Sequence, residues 1–333
     1  MAGSFFSEAV VFEQPGSLSL RAVQLCEPLA TDLVVDVVAS GISTGTEKLL
    51  WEGTMPMFPG LGYPLVPGYE AVGRVAHSGQ DCSIAEGTQV FVPGASCYEG
   101  EVRGLFGASA SRLIVPEARV TCIPDMNAEQ GVILALAATA MHILSYRWQQ
   151  RADKDEVPHL ADLVSEAPQL IIGHGVLGRL LARMCVAIGA QAPVVWELDN
   201  QRRSGAQGYE VIAPADCTRS TRQHIADVSG ATGEHFNDLI SLLGKGGRLT
   251  LGGFYQAPVN FNFAPAFIRE ATIGIASEWT PADLNLVMRL VSAGALSLDG
   301  LVTHQYPKEK ASEAYPMAFT DSACLKTILN WSA

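Results

Sequence analysis

Apolar residues are spaced in two different ways along this chain. Over the first ~125 residues they come in short runs: Leu33–Val38, Ala71–His77, Gln89–Val92 and Arg112–Val115. Glycine and proline separate these runs, a spacing that predicts β-strands joined by turns. The stretch FPGLGYPLVPG at Phe58–Gly68 is too dense in turn residues for a helix and reads as a long ordered loop. From about Ala128 the pattern becomes helical (GVILALAATAMHIL), followed by a polar segment, Arg147–Ala167, that reads as an insertion or exposed connection. Beyond it, strands are predicted at Gln169–Ile172, Pro193–Leu198, Glu210–Ile212, His224–Val228, Gly247–Leu251 and Thr272–Ala276. Helices such as Leu177–Ile188 and Ala282–Ala293 lie among them. Strands alternating with helices predict a doubly wound parallel sheet. The last ~35 residues return to short apolar runs, which are expected to pair back with the β-rich N-terminal part.

Composition narrows the function. The chain has 333 residues, 48% hydrophobic and 17% charged, which suits about two folded domains. A net charge of −12 argues against nucleic acid or an anionic membrane as partner, though not against an anionic small molecule. The longest apolar stretch, Val132–Met141, is far short of a bilayer span, and Met1–Phe12 has no signal-peptide pattern, so a cytoplasmic protein is expected. Seven scattered cysteines without a C-x-x-C pair suggest neither a disulfide framework nor a structural zinc lobe. Oligomeric state is left open, with a homo-oligomer compatible.

Residues 170–178 read Leu-Ile-Ile-Gly-His-Gly-Val-Leu-Gly. Gly173, Gly175 and Gly178 form G-x-G-x-x-G between a strand and a helix, the pattern that holds a dinucleotide pyrophosphate. His174, Val176 and Leu177 complete the turn, with His174 expected to offer its backbone N–H. Glu197 ends the next predicted strand 19 residues after Gly178. A carboxylate there accepts ribose hydroxyls and repels a 2′-phosphate, favouring NAD over NADP, although Arg202 and Arg203 follow closely.

A β-rich N-terminal part, a late glycine fingerprint and a C-terminal return resemble the medium-chain dehydrogenase/reductase family. The residues that carry this are Ser40-Gly-Ile-Ser-Thr-Gly-Thr-Glu47, Pro67-Gly-Tyr-Glu-Ala-Val-Gly73, Ala138-Thr-Ala140, the fingerprint, and Leu301-Val-Thr-His304. The resemblance implies a GroES-like catalytic domain (residues 1–135 and 300–333) and a Rossmann NAD-binding domain (136–299), an α/β architecture. It also implies that Thr139 approaches the nicotinamide. Zinc-binding members carry ligands where this chain has Ser43 or Thr44, Tyr69, and a position near Ala135; Glu70 alone is kept. One carboxylate and two hydroxyls make a poor zinc site, so a zinc-free member is expected. Ser43, Thr44, Thr46 and Tyr69 are then the candidate hydroxyls, Glu70 their orienting group, and Lys48 the outer end of a proton relay. His142 is an alternative near the nicotinamide, and His304 reads as structural.

Longer strings resemble one branch of that family, which acts on bacteriochlorophyllides. They include Ser40–Lys48, Trp51, Met55-Pro56, Phe58–Gly60, Gly62–Glu70, Arg103–Gly107, Gly173–Arg183 and Gly253-Phe-Tyr255. That resemblance implies NAD-dependent oxidation of a 3-(1-hydroxyethyl) side chain to 3-acetyl. Trp51, Phe58, Tyr63, Phe106 and Tyr255 are candidate contacts for a flat tetrapyrrole, with Arg103 and Lys48 the candidates for its propionate. Two other readings are a zinc-free quinone or enone reductase using NADPH, and a non-catalytic protein that binds NAD or a tetrapyrrole.

Overall fold

The computed structural model describes residues 5–332 apart from 58, 152–156, 218–219, 231–232, 234 and 256–257. Two compact units emerge: residues 1–135 with 299–333, and residues 136–298.

The first unit opens with two strands the short-run reading missed, β1 (Phe5–Gln14) and β2 (Ser17–Leu25), which form an antiparallel hairpin. Val10, Val11 and Phe12 are fully buried in succession, which obscures the alternation that marks a half-exposed strand. Next come β3 (Asp32–Ile42), the short helix α1 (Thr46–Glu52), β4 (Leu65–Val66) and β5 (Ala71–Ser78). They are followed by β6 (Gln89–Val92), β7 (Arg103–Gly104), β8 (Arg112–Pro116), β9 (Thr121–Cys122) and α2 (Ala128–Val132). Residues 59–64 are loop leading to β4, which pairs with both β1 and β7.

A long helix, α3 (Leu134–Arg151), leads into the second unit. Residues 160–166, expected as exposed connection, form a 3₁₀ segment whose Glu166 is buried between Arg248 (2.6 Å) and Arg151 (2.5 Å). Six strands follow in one parallel sheet: β10 (Leu170–Ile172), β11 (Val194–Trp196), β12 (Glu210–Ile212), β13 (Arg222–Asp227), β14 (Leu243–Leu251) and β15 (Thr272–Ile275). Their order, β12-β11-β10-β13-β14-β15, reverses direction between β10 and β13 and is the doubly wound arrangement. Four helices accompany the strands: α4 (Val176–Ala187), α5 (Phe236–Leu242), α6 (Phe263–Ile268) and α7 (Pro281–Ser292). Strand–helix alternation is incomplete. Among the described residues, the β11–β12 and β12–β13 crossovers carry only 3₁₀ turns.

The chain then returns to the first unit through β16 (Val302–Pro307), α8 (Ala311–Thr320) and β17 (Lys326–Asn330). β17 lies antiparallel to β3, which on its other side pairs with β5. The expected return of the C-terminus is thus present, and it places β17 and the start of β5 on either side of Gly41–Ile42.

Candidate active site

In the first unit, β3 carries the chain to Ser43, which is buried, while Thr44 and Gly45 turn outward before α1. Ser43 Oγ and the Tyr69 hydroxyl are 2.6 Å apart, and the Thr46 hydroxyl also reaches Tyr69. Burial and the nearby Glu70 push the Tyr69 phenol well above its usual range. Phe106 packs edge-on against the Tyr69 ring at 5.3 Å. Phe106 itself is held at φ +66°, a costly conformation for a non-glycine residue, where its carbonyl accepts the Ala95 N–H at 2.7 Å.

Behind these hydroxyls lies an ion pair the sequence did not reveal. Lys326 Nζ donates to both Glu70 oxygens, at 2.9 and 2.7 Å, and to the Ile42 carbonyl at 3.3 Å. Both side chains are buried. Gly41 makes the pairing possible: a Cβ at that position would lie 2.2 Å from Glu70 Oε2. A second missed residue is Glu47, fully buried in the first turn of α1, which accepts the Ser43 N–H at 3.0 Å. Helix first turns favour acids, but such acids usually face solvent, so composition alone gives no hint of its burial.

This donor set does not fit zinc. Ser43 and Tyr69 are bonded to each other, Glu70 is neutralised by Lys326, and Ala135 is an apolar core position. Among the described residues no cluster of three or more His, Cys, Asp or Glu side chains is placed to hold a metal.

The other candidates in this unit are spread over several environments. Lys48 is part-exposed and lies 3.8 Å from Glu52 one turn on. Trp51 packs edge-on against Phe12 (5.5 Å) and near Phe319, joining the core. The Tyr63 hydroxyl donates to the Leu50 carbonyl, tying the loop to α1. Arg103 is exposed and lies across Gly62, donating to the Leu61 carbonyl at 3.4 Å. Phe58 lies outside the described residues. His304 meets Thr303 (2.9 Å) and Asp321 (3.5 Å) near the surface.

In the second unit, the glycine turn follows β10 at the switch point of the sheet. Gly173 sits at φ +99° and packs against Ser229, just past β13. Gly178 lies so close to the Gly173 carbonyl that any Cβ would clash, whereas Gly175 faces open space. The first-turn N–H groups of α4 have no intrahelical acceptors, and no side chain caps them at Gly175. An open glycine under an uncapped twelve-residue helix fits a dinucleotide pyrophosphate.

Glu197 ends beside this turn, at the mouth of β11. Its carboxylate accepts the His174 N–H (2.8 Å) and the Asp199 N–H (2.9 Å). The His174 amide, expected to face the phosphates, is therefore engaged by Glu197. The His174 ring is buried, and burial pushes its pKa down to about 4. As a neutral imidazole it donates from Nδ1 to the Arg202 carbonyl (2.6 Å) and accepts at Nε2 from the Tyr209 hydroxyl (2.8 Å). Arg203 donates to the Glu197 and Leu198 carbonyls. Thr139 is part-buried on α3. Three positions further on, His142 is bonded to Asp283 at 2.9 Å, in a buried network that clamps α3 to the start of α7. Tyr255, expected among the tetrapyrrole contacts, belongs to this unit: it packs on Phe236 and donates to the Asp227 carbonyl at 3.3 Å.

Comparison with known proteins gives the family. Residues 30–125 match the alcohol dehydrogenase GroES-like domain. The chain is 48% identical over 325 residues to the 2-desacetyl-2-hydroxyethyl bacteriochlorophyllide A dehydrogenase of Rhodobacter capsulatus, covering 98% of each chain. It is 47% identical over 329 residues to the protein of the same name from Cereibacter sphaeroides, again covering 98% of each. Among solved structures, an alcohol dehydrogenase from Escherichia coli CFT073 complexed with NADH superposes with a TM-score of 0.79 at 19% identity, covering 98% of this chain and 100% of that one. A zinc-binding dehydrogenase fold from Sinorhizobium meliloti 1021, bound to NADP, gives 0.76 at 20% identity, with 98% and 99% covered. The chain thus belongs to the bacteriochlorophyllide a dehydrogenases, within the medium-chain dehydrogenase/reductase family.

Proposed function

We propose that the chain oxidises the 3-(1-hydroxyethyl) group of a bacteriochlorophyllide a precursor to 3-acetyl in bacteriochlorophyll a biosynthesis, using NAD. The observation that carries this reading is the 48% identity along 98% of the chain to a relative named for that substrate. In such an oxidation the carbinol hydrogen leaves with its electron pair, the hydroxyl proton leaves separately, and the carbon–oxygen bond becomes C=O. The nicotinamide ring supplies the hydride acceptor when bound.

This chain's own residues supply the rest. The Ser43–Tyr69 hydroxyl pair hydrogen-bonds and orients the alcohol oxygen and relays its proton toward water, each oxygen taking one hydrogen as it releases another, the task that a metal ion eases in zinc-binding members. The Glu70–Lys326 pair fixes the strand ends that carry them. Gly173, Gly175, Gly178 and the N–H groups of Val176 and Leu177 hold the pyrophosphate, and Thr139 contacts the nicotinamide. Glu197 takes the adenosine ribose, which supports NAD over NADP because its charge opposes a 2′-phosphate. Phe106 offers an aromatic face beside the hydroxyls, and the exposed guanidinium of Arg103 suits the propionate. Among the described residues no helix is long and apolar enough to cross a membrane, and the proposed compartment is the cytoplasm.

Incubation with NAD and 3-hydroxyethyl bacteriochlorophyllide tests the reading. NADH and the red-shifted absorption of a conjugated acetyl group are expected in equal amounts. Binding without turnover, or quinone reduction with NADPH in its place, overturns it.

A further inference from the structure

The hydroxyl pair has no charged partner of its own among the described residues, and two buried acids lie behind it, Glu70 and Glu47. Glu47 Oε1 accepts the Ser43 N–H at 3.0 Å, while Oε2 is buried with no hydrogen bond. Its neighbours come from every surrounding element: Glu70 ahead of β5, Lys326 on β17, Tyr315 on α8 and Ser43 at the end of β3. Lys326 is the one cation of this group, and its three contacts are to Glu70 and the Ile42 carbonyl. Two carboxyls therefore share one ammonium, and that ammonium is committed to Glu70.

We propose that Glu47 is a positioning residue for the oxidation, anchoring the Ser43 end of the hydroxyl pair and setting the charge behind it. The inference rests on the alcohol oxidation proposed above. Held on the Ser43 amide, the Glu47 carboxyl fixes where Ser43 Oγ meets Tyr69. When Glu47 carries its proton, the pair has a neutral backing. When it ionises, a negative charge stands behind the two hydroxyls and favours the passage of the substrate's hydroxyl proton through them toward water. Burial raises the Glu47 pKa to about 8, so the change of backing falls in the alkaline half of the working range.

The test is kcat against pH, from 6 to 10, for the full chain with NAD and 3-hydroxyethyl bacteriochlorophyllide. Glu47→Gln keeps the shape and an oxygen for the Ser43 amide but cannot ionise. Wild type should show kcat rising through the Glu47 titration. Glu47→Gln should lack that limb and be slower by about tenfold or more at pH 9, with NAD affinity unchanged. Wild-type turnover with an unaltered pH profile in Glu47→Gln overturns the role of Glu47 and leaves the oxidation standing. No turnover by wild type overturns the oxidation itself. Infrared difference spectra of wild type keep the test independent of the variant's folding. A buried carboxyl band lost between pH 7 and 9 is expected, and its absence at pH 7 counts against the proposal.

Discussion

Lys326 and Glu70 stand 256 positions apart in sequence, yet the Lys326 ammonium contacts both Glu70 carboxylate oxygens in a fully buried pair. The pair exists because β17 and β5 flank β3 on opposite sides and Gly41 leaves room between them. It locks the C-terminal return onto β3, the strand that leads to Ser43.

Removing one partner of such a pair strands a buried charge. Lys326→Met is expected to destabilise the chain by about 3–5 kcal/mol, and adding Glu70→Gln should recover much of that loss. Denaturant unfolding of the two single variants and the double variant checks this. Costs that simply add would mean the two groups are not coupled.

Stability should also depend on pH through Glu47. Its pKa is about 8 in the folded chain against an ordinary 4.5, so the folded state keeps a proton that the unfolded chain releases. Glu47 therefore lowers wild-type stability progressively as pH rises from about 4.5 to about 8. Glu47→Gln should flatten that decline and melt higher than wild type at pH 8, with a smaller difference at pH 5. Parallel melting curves at both pH values would contradict it.

At the proposed cofactor turn, Glu197→Ala removes the proposed ribose acceptor and repulsion of a 2′-phosphate together with the anchor of the His174 amide. NAD binding should weaken by about 10–100-fold and the gap to NADP should narrow. Fluorescence titration with both dinucleotides decides; an unchanged NAD affinity would remove Glu197 from the site.

Contacts separate the candidates: Ser43 and Tyr69 are hydrogen-bonded to each other, whereas Lys48 faces Glu52. Tyr69→Phe and Ser43→Ala should each lower kcat by about 10²-fold with little change in NAD affinity. Lys48→Met, at a part-exposed residue beside Glu52, should cost far less. Equal losses from Lys48→Met and Tyr69→Phe would return Lys48 to the proton path.

What the sequence made legible follows from what is local. The glycine turn between β10 and α4, the strand that leads to Glu197 and the strands at Gln89–Val92 and Glu210–Ile212 are readable because each depends on a few adjacent residues. The choice between Ser43 and Thr44 was not, since one residue of register decides which side chain turns inward. Lys326 was invisible for another reason: a lysine near the end of a chain reads as solvated until β17 is paired with β3. Glu47 escaped notice because an acid in a helix first turn has a sufficient local explanation. His174 was visible as part of the turn, but its Tyr209 and Arg202 partners come from the crossover beyond β11.

The central claim is that hydroxyls backed by a buried ion pair do the work of the metal ion in zinc-binding members. Its most direct test is the oxidation rate of 3-hydroxyethyl bacteriochlorophyllide with NAD, measured on purified protein before and after exhaustive chelation, alongside elemental analysis. The account predicts an unchanged rate and no stoichiometric zinc. About one zinc per chain, with activity lost on chelation and restored by zinc, would contradict it.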